Sequence, residues 1–362
     1  MGIATEPLAA PASTRAPIAD ALYTICPVLV ASGVASELGW LDEEFRRVGA
    51  RLSYLRATAD AHGWLEHYNH ASPRLFRDGG NSPAIWAKAD LRDTVLLGLT
   101  QAQAAGKIVV RADAPLYSVA QLRGRRVGLY RSALSSKIDF RRATSEHGLR
   151  AALALHGVDA AEVQWVDVYA PDTHIDTPSA NPADTWSRQR GRASLGVEAQ
   201  ALVRGDIDAY FEYGIGLPDR LERSGDFKVL DDLDRYPDWT LRLANAPRTL
   251  TVSAEFAHAH RDVVVAWLRA ALRAGQWINA HPRAAAAVFA RTTYYPQAAI
   301  ERLLPHYDLR PDLSARNLAG LTAAKDFLRA RAYVKGDIDV ARWADASYLE
   351  EAWATLPRPS SR

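Results

Sequence analysis

The sequence predicts an α/β protein, with sheets flanked by helices and a last third that is almost wholly helical. Two observations carry this reading. Over the first two-thirds of the 362 residues, short apolar runs alternate with amphipathic stretches, the pattern of strands joined through helices in parallel sheets. From about Arg261 onward, apolar residues recur at helical spacing with little interruption. A chain of this length buries a substantial core, as two α/β domains or as one large one.

In chain order, "ALYTI" (21–25) reads as a strand. A helix is expected over Pro27–Leu38, with Val30, Val34 and Leu38 at fourth-residue spacing and Gly39 as its C-terminal stop. Strands are expected at "ARLSYL" (50–55), "TVLLGLT" (94–100), "KIVVRA" (107–112), "RVGLY" (126–130), "VQWVDV" (163–168), "IDAYFEY" (207–213) and "TLTVSAEF" (249–256). Helical patterns separate many of them, notably residues 142–157 and 194–205. Residues 170–192 break the pattern with prolines among Asp, Asn and Ser, and read as a long loop covering a site. His174 and Asp176 lie in that loop, but no second pair of ligands stands at a zinc or EF-hand spacing, so no metal is expected.

Composition excludes several classes. Lys and Arg number 44 against 42 Asp and Glu, so no general pull toward nucleic acid or an anionic membrane is expected. The clusters Arg123–Arg126 and Arg141–Arg142 are short, without interleaved aromatics, and read as solvated faces. No window has the apolar length of a membrane span. Residues 1–18 read as a disordered leader with neither the basic start nor the apolar core of a secretory signal, which predicts a soluble, cytoplasmic protein with a reduced thiol.

That thiol is Cys26, the single cysteine of the chain. A residue before proline is pushed toward extended backbone, and proline suits a first helical turn, so Cys26 is expected at a strand-to-helix turn beside a helix N-terminus. Such a position favours a thiolate. A small packing residue under the sheet is the equal alternative. A second constellation favours the reactive reading. "HGWLEHYNHASPRLFRDGGN" (62–81) matches neither a clean strand nor a clean helix and gathers histidines, arginines, aromatics and a Gly-Gly pair. His67 is of a type that pairs with reactive cysteine. Arg77 offers a planar fork to an oxyanion, and Gly79 and Gly80 allow close backbone approach. Taken singly, His62, His70 and Arg74 read as solvent-facing.

At these residues the sequence resembles a known family. "YTICPVLVASGVASELGWLD" and "HYNHASPRLFRDGGN" are similar to the aryl sulfinate desulfinases of dibenzothiophene desulfurisation, with a Cys-Pro before a helix ending in Gly-aromatic-Leu-Asp, then His-aromatic, Pro and Arg-x-Gly-Gly. The resemblance implies that the catalytic residues are Cys26, His67 and Arg77, with Gly80 contacting the sulfinate. More widely, "SVAQLRGRRVGL", "QALVRGDIDAYFEYG" and "TVSAEFAHAHRDVVVAWLRAALRAGQWINAHP" resemble the nitrate, sulfonate and taurine solute-binding proteins. That likeness implies a periplasmic-binding-protein-like (type II) fold of two lobes with a ligand cleft between them, lobe 1 from residues 19–115 plus 240–362 and lobe 2 from 116–239.

The resemblance therefore implies a hydrolase that cleaves the carbon-sulfur bond of an aromatic sulfinate and releases sulfite. The alternative is a non-catalytic solute-binding protein of an importer, which has no need of a cleft cysteine. Thiamine-pyrimidine synthases of the same fold use a cysteine-rich motif that one cysteine cannot supply. Tyr68, Trp64 and Trp186 are candidates to hold the substrate ring. Cys26 acts either as a thiol that protonates the ring carbon or as a thiolate that attacks sulfur, routes that require opposite protonation states. His70 and Arg74 are additional basic groups relative to the family and point to a more polar or anionic substrate. No nucleotide or flavin motif is present, so no organic cofactor is expected, and the fold implies a monomer.

Overall fold

The computed structural model describes residues 19–57, 63–101, 105–171, 178–190, 195–215 and 223–356. The expected leader lies outside them, as do His62, His174 and Asp176. Among the described residues ten strands form two five-stranded sheets. The first half of the chain contributes β1 (Asp20–Ile25), α1 (Ala31–Glu37), α2 (Trp40–Arg47), β2 (Arg51–Tyr54), α3 (Gly63–Asn69), β3 (Leu75–Gly79), α4 (Asn81–Trp86), β4 (Thr94–Thr100), β5 (Lys107–Arg111), β6 (Arg126–Ser132), α5 (Phe140–Leu155) and β7 (Gln164–Ala170). There follow α6 (Pro182–Arg190), α7 (Val197–Arg204), β8 (Ala209–Glu212), β9 (Phe227–Asp232), β10 (Arg248–Ser253), α8 (Ala254–Ala259), α9 (Arg261–Ala280), α10 (Pro282–Thr292), α11 (Gln297–Leu303), α12 (Ala315–Ala330), α13 (Val340–Trp343) and α14 (Ala346–Thr355). The C-terminal region is helical, as expected.

The sheets are mixed rather than purely parallel. The first has the order β2-β1-β3-β10-β4 and the second β7-β6-β8-β5-β9. In each, one strand runs against its neighbours, β10 in the first and β5 in the second. These are the strands on which the chain enters or re-enters a sheet, so the reversal follows from its crossing between them. The boundary expected at residue 115 is corrected by this pairing. β5 bonds to β8 and β9, which puts residues 107–111 in the second sheet.

Alternation along the first sheet positions the site. Tyr23, Ile25, Phe76, Leu250 and Val252 point to one face and join its main core. There the Phe76 ring stacks on Trp267 of α9, 4.7 Å between centroids and nearly coplanar. The opposite face carries Thr24, Arg77 and Thr251, which are cross-strand neighbours in register. One step along, Gly79 pairs with Thr249 on that same face. This polar stripe is covered by α3.

Two local expectations fail for identifiable reasons. The helix after Cys26 starts at Ala31, not Pro27, because residues 27–29 form a bend closed by the Val28 amide donating to the Cys26 carbonyl at 2.8 Å. It does end where expected, with Gly39 left-handed at φ 73°. Residues 182–190, expected in a loop, form α6, which begins at a proline. This segment reaches back to the first sheet's elements. The Ser179 amide donates to the Arg56 carbonyl at 2.9 Å, and Thr185 bonds to the Tyr54 hydroxyl at 3.2 Å.

Candidate active site

Cys26 stands immediately after β1, its amide donating to the Asp78 carbonyl of β3 at 2.9 Å. The expected helix N-terminus is not beside it, since α1 begins five residues later, after Val30. What stands beside it is a histidine. His67 of α3 places Nε2 3.2 Å from the Cys26 sulfur, and its Nδ1 lies 2.8 Å from the Thr24 hydroxyl. The segment around His67, which matches no single pattern in sequence, resolves into α3, β3 and the start of α4.

His67 is buried, and burial holds its imidazole well below the usual range, with Arg77, Arg56 and His70 pressing the same way. The ring is therefore neutral at pH 7 and carries one N–H. Because a threonine hydroxyl both donates and accepts, Thr24 fits either tautomer. With the proton on Nδ1, His67 donates to Thr24 and accepts from the thiol. With it on Nε2, Thr24 donates to Nδ1 and the ring donates to sulfur.

Arg77 is fully buried on β3. Its Nε donates to the His67 carbonyl at 2.7 Å and its Nη1 to the Gly80 carbonyl at 2.9 Å. The third nitrogen, Nη2, has no hydrogen-bond partner among the described residues. A buried cation with an unfilled donor is costly unless an anion completes it. Asp78, the next residue, points to the opposite face of the sheet and so does not fill that donor.

Each of the two glycines also makes room for a side chain from another segment. A Cβ on Gly79 would lie 2.2 Å from the Cys26 sulfur, so this glycine makes room for the thiol. A Cβ on Gly80 would lie 2.1 Å from the Asn245 side-chain amide, so Gly80 admits Asn245, whose Oδ1 accepts from the Ser82 amide at 2.9 Å. His70 is buried rather than solvent-facing, and it is not an extra basic group. Its Nε2 bonds to Thr251 at 2.8 Å, and burial, with Arg77 adding to the effect, lowers its pKa to about 3. Arg74 is exposed, 3.9 Å from Asp20, as expected of a surface side chain.

Aromatic groups extend the site away from sulfur. The Tyr68 ring sits edge-on to His67 at 4.9 Å, and Trp64 packs edge-on to Tyr68 at 5.6 Å. Tyr68 stacks at 6.0 Å on Phe140, the first residue of α5 beyond the second sheet. Lys137 caps both rings, its ammonium 5.3 and 5.7 Å from their centroids. Trp186 of α6 is buried against Tyr294 at 6.2 Å, with Arg56 over its ring. Thr24 was open to sequence reasoning, being two residues before Cys26 and so on the same strand face. Phe140, Lys137, Asn245 and Tyr294 carry no local signal.

Arg141 is only in part the solvated side chain expected, with 40% of it exposed. It lies 4.3 Å over the Tyr130 ring and 3.5 Å from Glu198. A cavity of about 280 Å3 lies on the other side of Asn245, walled by α5, α12 and residues 239–247, and is separate from the thiol. Among the described residues no group of His, Cys, Asp and Glu is arranged to hold a metal, and no helix is long and apolar enough to cross a membrane.

No family model matches the chain. It is 25% identical, over 91% of its own length and 92% of the relative's, to the 2'-hydroxybiphenyl-2-sulfinate desulfinase of Rhodococcus erythropolis. The chain resembles a sulfinate desulfinase. Among solved structures, a cysteine-to-serine variant of the desulfurisation enzyme DszB in complex with biphenyl-2-sulfinic acid superposes with a TM-score of 0.74 at 23% identity, covering 92% of this chain and 99% of that one. The alkanesulfonate-binding protein SsuA from Xanthomonas axonopodis pv. citri, bound to MOPS, gives 0.59 at 19% identity over 90% and 98% of the two chains. The architecture is thus periplasmic-binding-protein-like, as the desulfinase likeness and the two mixed sheets both require.

Proposed function

We propose that the protein is an aryl sulfinate desulfinase, a hydrolase that converts an aromatic sulfinate and water into the arene and bisulfite. The observation that carries this is the convergence of three groups on one face of the first sheet. Cys26 sulfur lies 3.2 Å from a neutral His67, and the buried Arg77 beside them keeps an unfilled donor. The likeness to a desulfinase along nine-tenths of the chain supports the same reading.

The electrostatics favour the thiol as an acid. Deprotonation of Cys26 by His67 would create an imidazolium that burial and Arg77 both oppose. In the favoured route the sulfinate rests against Arg77, and the Cys26 S–H bond breaks as its proton goes to the ring carbon bearing sulfur. The carbon-sulfur bond then breaks and its electron pair restores the aromatic ring. Sulfur dioxide departs and adds water to give bisulfite with release of a proton, and the Cys26 thiolate is reprotonated along His67 and Thr24. The charge of Arg77 attracts the Cys26 thiolate left by the first step and so stabilises its product.

The experiment is sulfite release by purified protein given benzenesulfinate and biphenyl-2-sulfinate. Sulfite is expected from the wild type and none from Cys26→Ser. Tight binding of sulfinates or sulfonates without sulfite would instead support the solute-binding alternative.

A further inference from the structure

Across the cleft from Cys26, the second lobe presents a cation whose binding capacity the protein itself uses little. Arg141 is the second residue of α5, just beyond the carboxyl end of β6. Crevices at the carboxyl ends of strands are where open α/β sheets take ligands. Among the described residues its one hydrogen bond is the 3.5 Å contact with Glu198, at the outer limit of such bonds, and 40% of its side chain is exposed. A guanidinium has several further N–H donors, held in a fork that matches a carboxylate.

Its neighbours do not use up that capacity. Glu198, nearly buried, offsets one charge. Glu212 turns back on its own loop, accepting from the Tyr213 and Gly214 amides at 3.0 and 3.2 Å, and burial raises its carboxyl to about 7. Lys137 adds a second cation on the Tyr68 and Phe140 rings. The contacts from Cys26 to His67, Tyr68 and Phe140 lead directly to Arg141 in the chain. Tyr294, half exposed, lies within electrostatic reach of Cys26, Arg141 and Glu212 alike. Aromatic walls therefore separate a cation at the thiol from cations on the second lobe.

The geometry points to Arg141 as a second anion anchor, so that the preferred substrate is an aryl sulfinate bearing a second anionic substituent, a carboxylate or sulfonate, on its ring. The sulfinate end of this assignment rests on the desulfinase reading, and the second end rests on Arg141 alone. Substrates with one anion would leave the second-lobe fork in water. Substrates with two would bridge the lobes.

The test compares benzenesulfinate with its 2-, 3- and 4-carboxy derivatives, using sulfite release by wild type, Arg141→Gln and Arg141→Lys. In parallel, calorimetry on Cys26→Ser measures binding of the same compounds. At least one carboxylated isomer is expected to be preferred by about 100-fold in kcat/KM, with most of that ratio lost in Arg141→Gln and part of it kept in Arg141→Lys. Equal kcat/KM for all four compounds in the wild type, or a preference unchanged in Arg141→Gln, overturns the anchor and leaves the desulfinase reading intact. If no compound yields sulfite, that reading falls by itself. Calorimetry then decides the anchor, tighter binding of a carboxylated compound supporting it and equal binding overturning it.

Discussion

At the scale of the residue, the site depends on one strand face. Thr24 on β1 and Cys26 just past its end are two positions apart, Arg77 and Gly79 are two apart on β3, and period-two alternation brings all four to the surface that α3 covers. Thr24 touches no reacting atom in this account and acts by holding the His67 ring. Thr24→Val is therefore expected to lower kcat on the order of 10²-fold with KM for the sulfinate little changed, while Thr24→Ser restores most of the rate. A merely structural threonine would lower stability and leave kcat unmoved in the folded fraction. Cys26, His67 and Arg77 were legible because the family resemblance rests on their motif. The purposes of Gly79 and Gly80 were not, because what each glycine makes room for, the Cys26 sulfur or the Asn245 amide, comes from another segment of chain.

At the scale of the element, α3 and the stripe beneath it form a buried polar layer with a pH signature. His70, held at φ 55° at the end of α3, has its pKa lowered from 6.5 to about 3, and that of His67 is also well below 6.5. Between those limits the unfolded chain binds protons that the folded one does not, so stability rises with pH there and is lost as pH falls. Asp78, raised from 3.8 to about 6, and Glu212, raised to about 7, have the opposite sign, but His147, lowered to about 4, adds to His67 and His70, and three depressed imidazoles outweigh two raised carboxyls. The unfolding midpoint is expected to fall from about pH 7 to about pH 4, with a shallower slope in His70→Asn, a residue that tolerates left-handed backbone. Equal slopes in both proteins would remove His70 from the account. Strands and long helices were legible from periodicity, whereas the start of α1 was not. Pro27 fits a first helical turn in isolation, but the bend at residues 27–29 is fixed by pairing of Cys26 with β3, a long-range contact.

At the scale of the whole molecule, the two sheets are joined by strands that run against their neighbours. Sequence periodicity predicts such strands but not their direction, which depends on where the chain returns. The same crossing explains why residues 107–111 belong to the second sheet and why residues 179–186 reach back to Tyr54 and Arg56. The cleft so formed brings a thiol and an arginine from one lobe toward aromatic and cationic side chains of the other. The most direct test of the central claim is to incubate the protein with benzenesulfinate in deuterated water and analyse both products together. Sulfite and benzene are expected in equal amounts, with deuterium at the carbon that carried sulfur, and neither product from Cys26→Ser. Intact sulfinate after many equivalents of protein and time, or full turnover by Cys26→Ser, would contradict the claim.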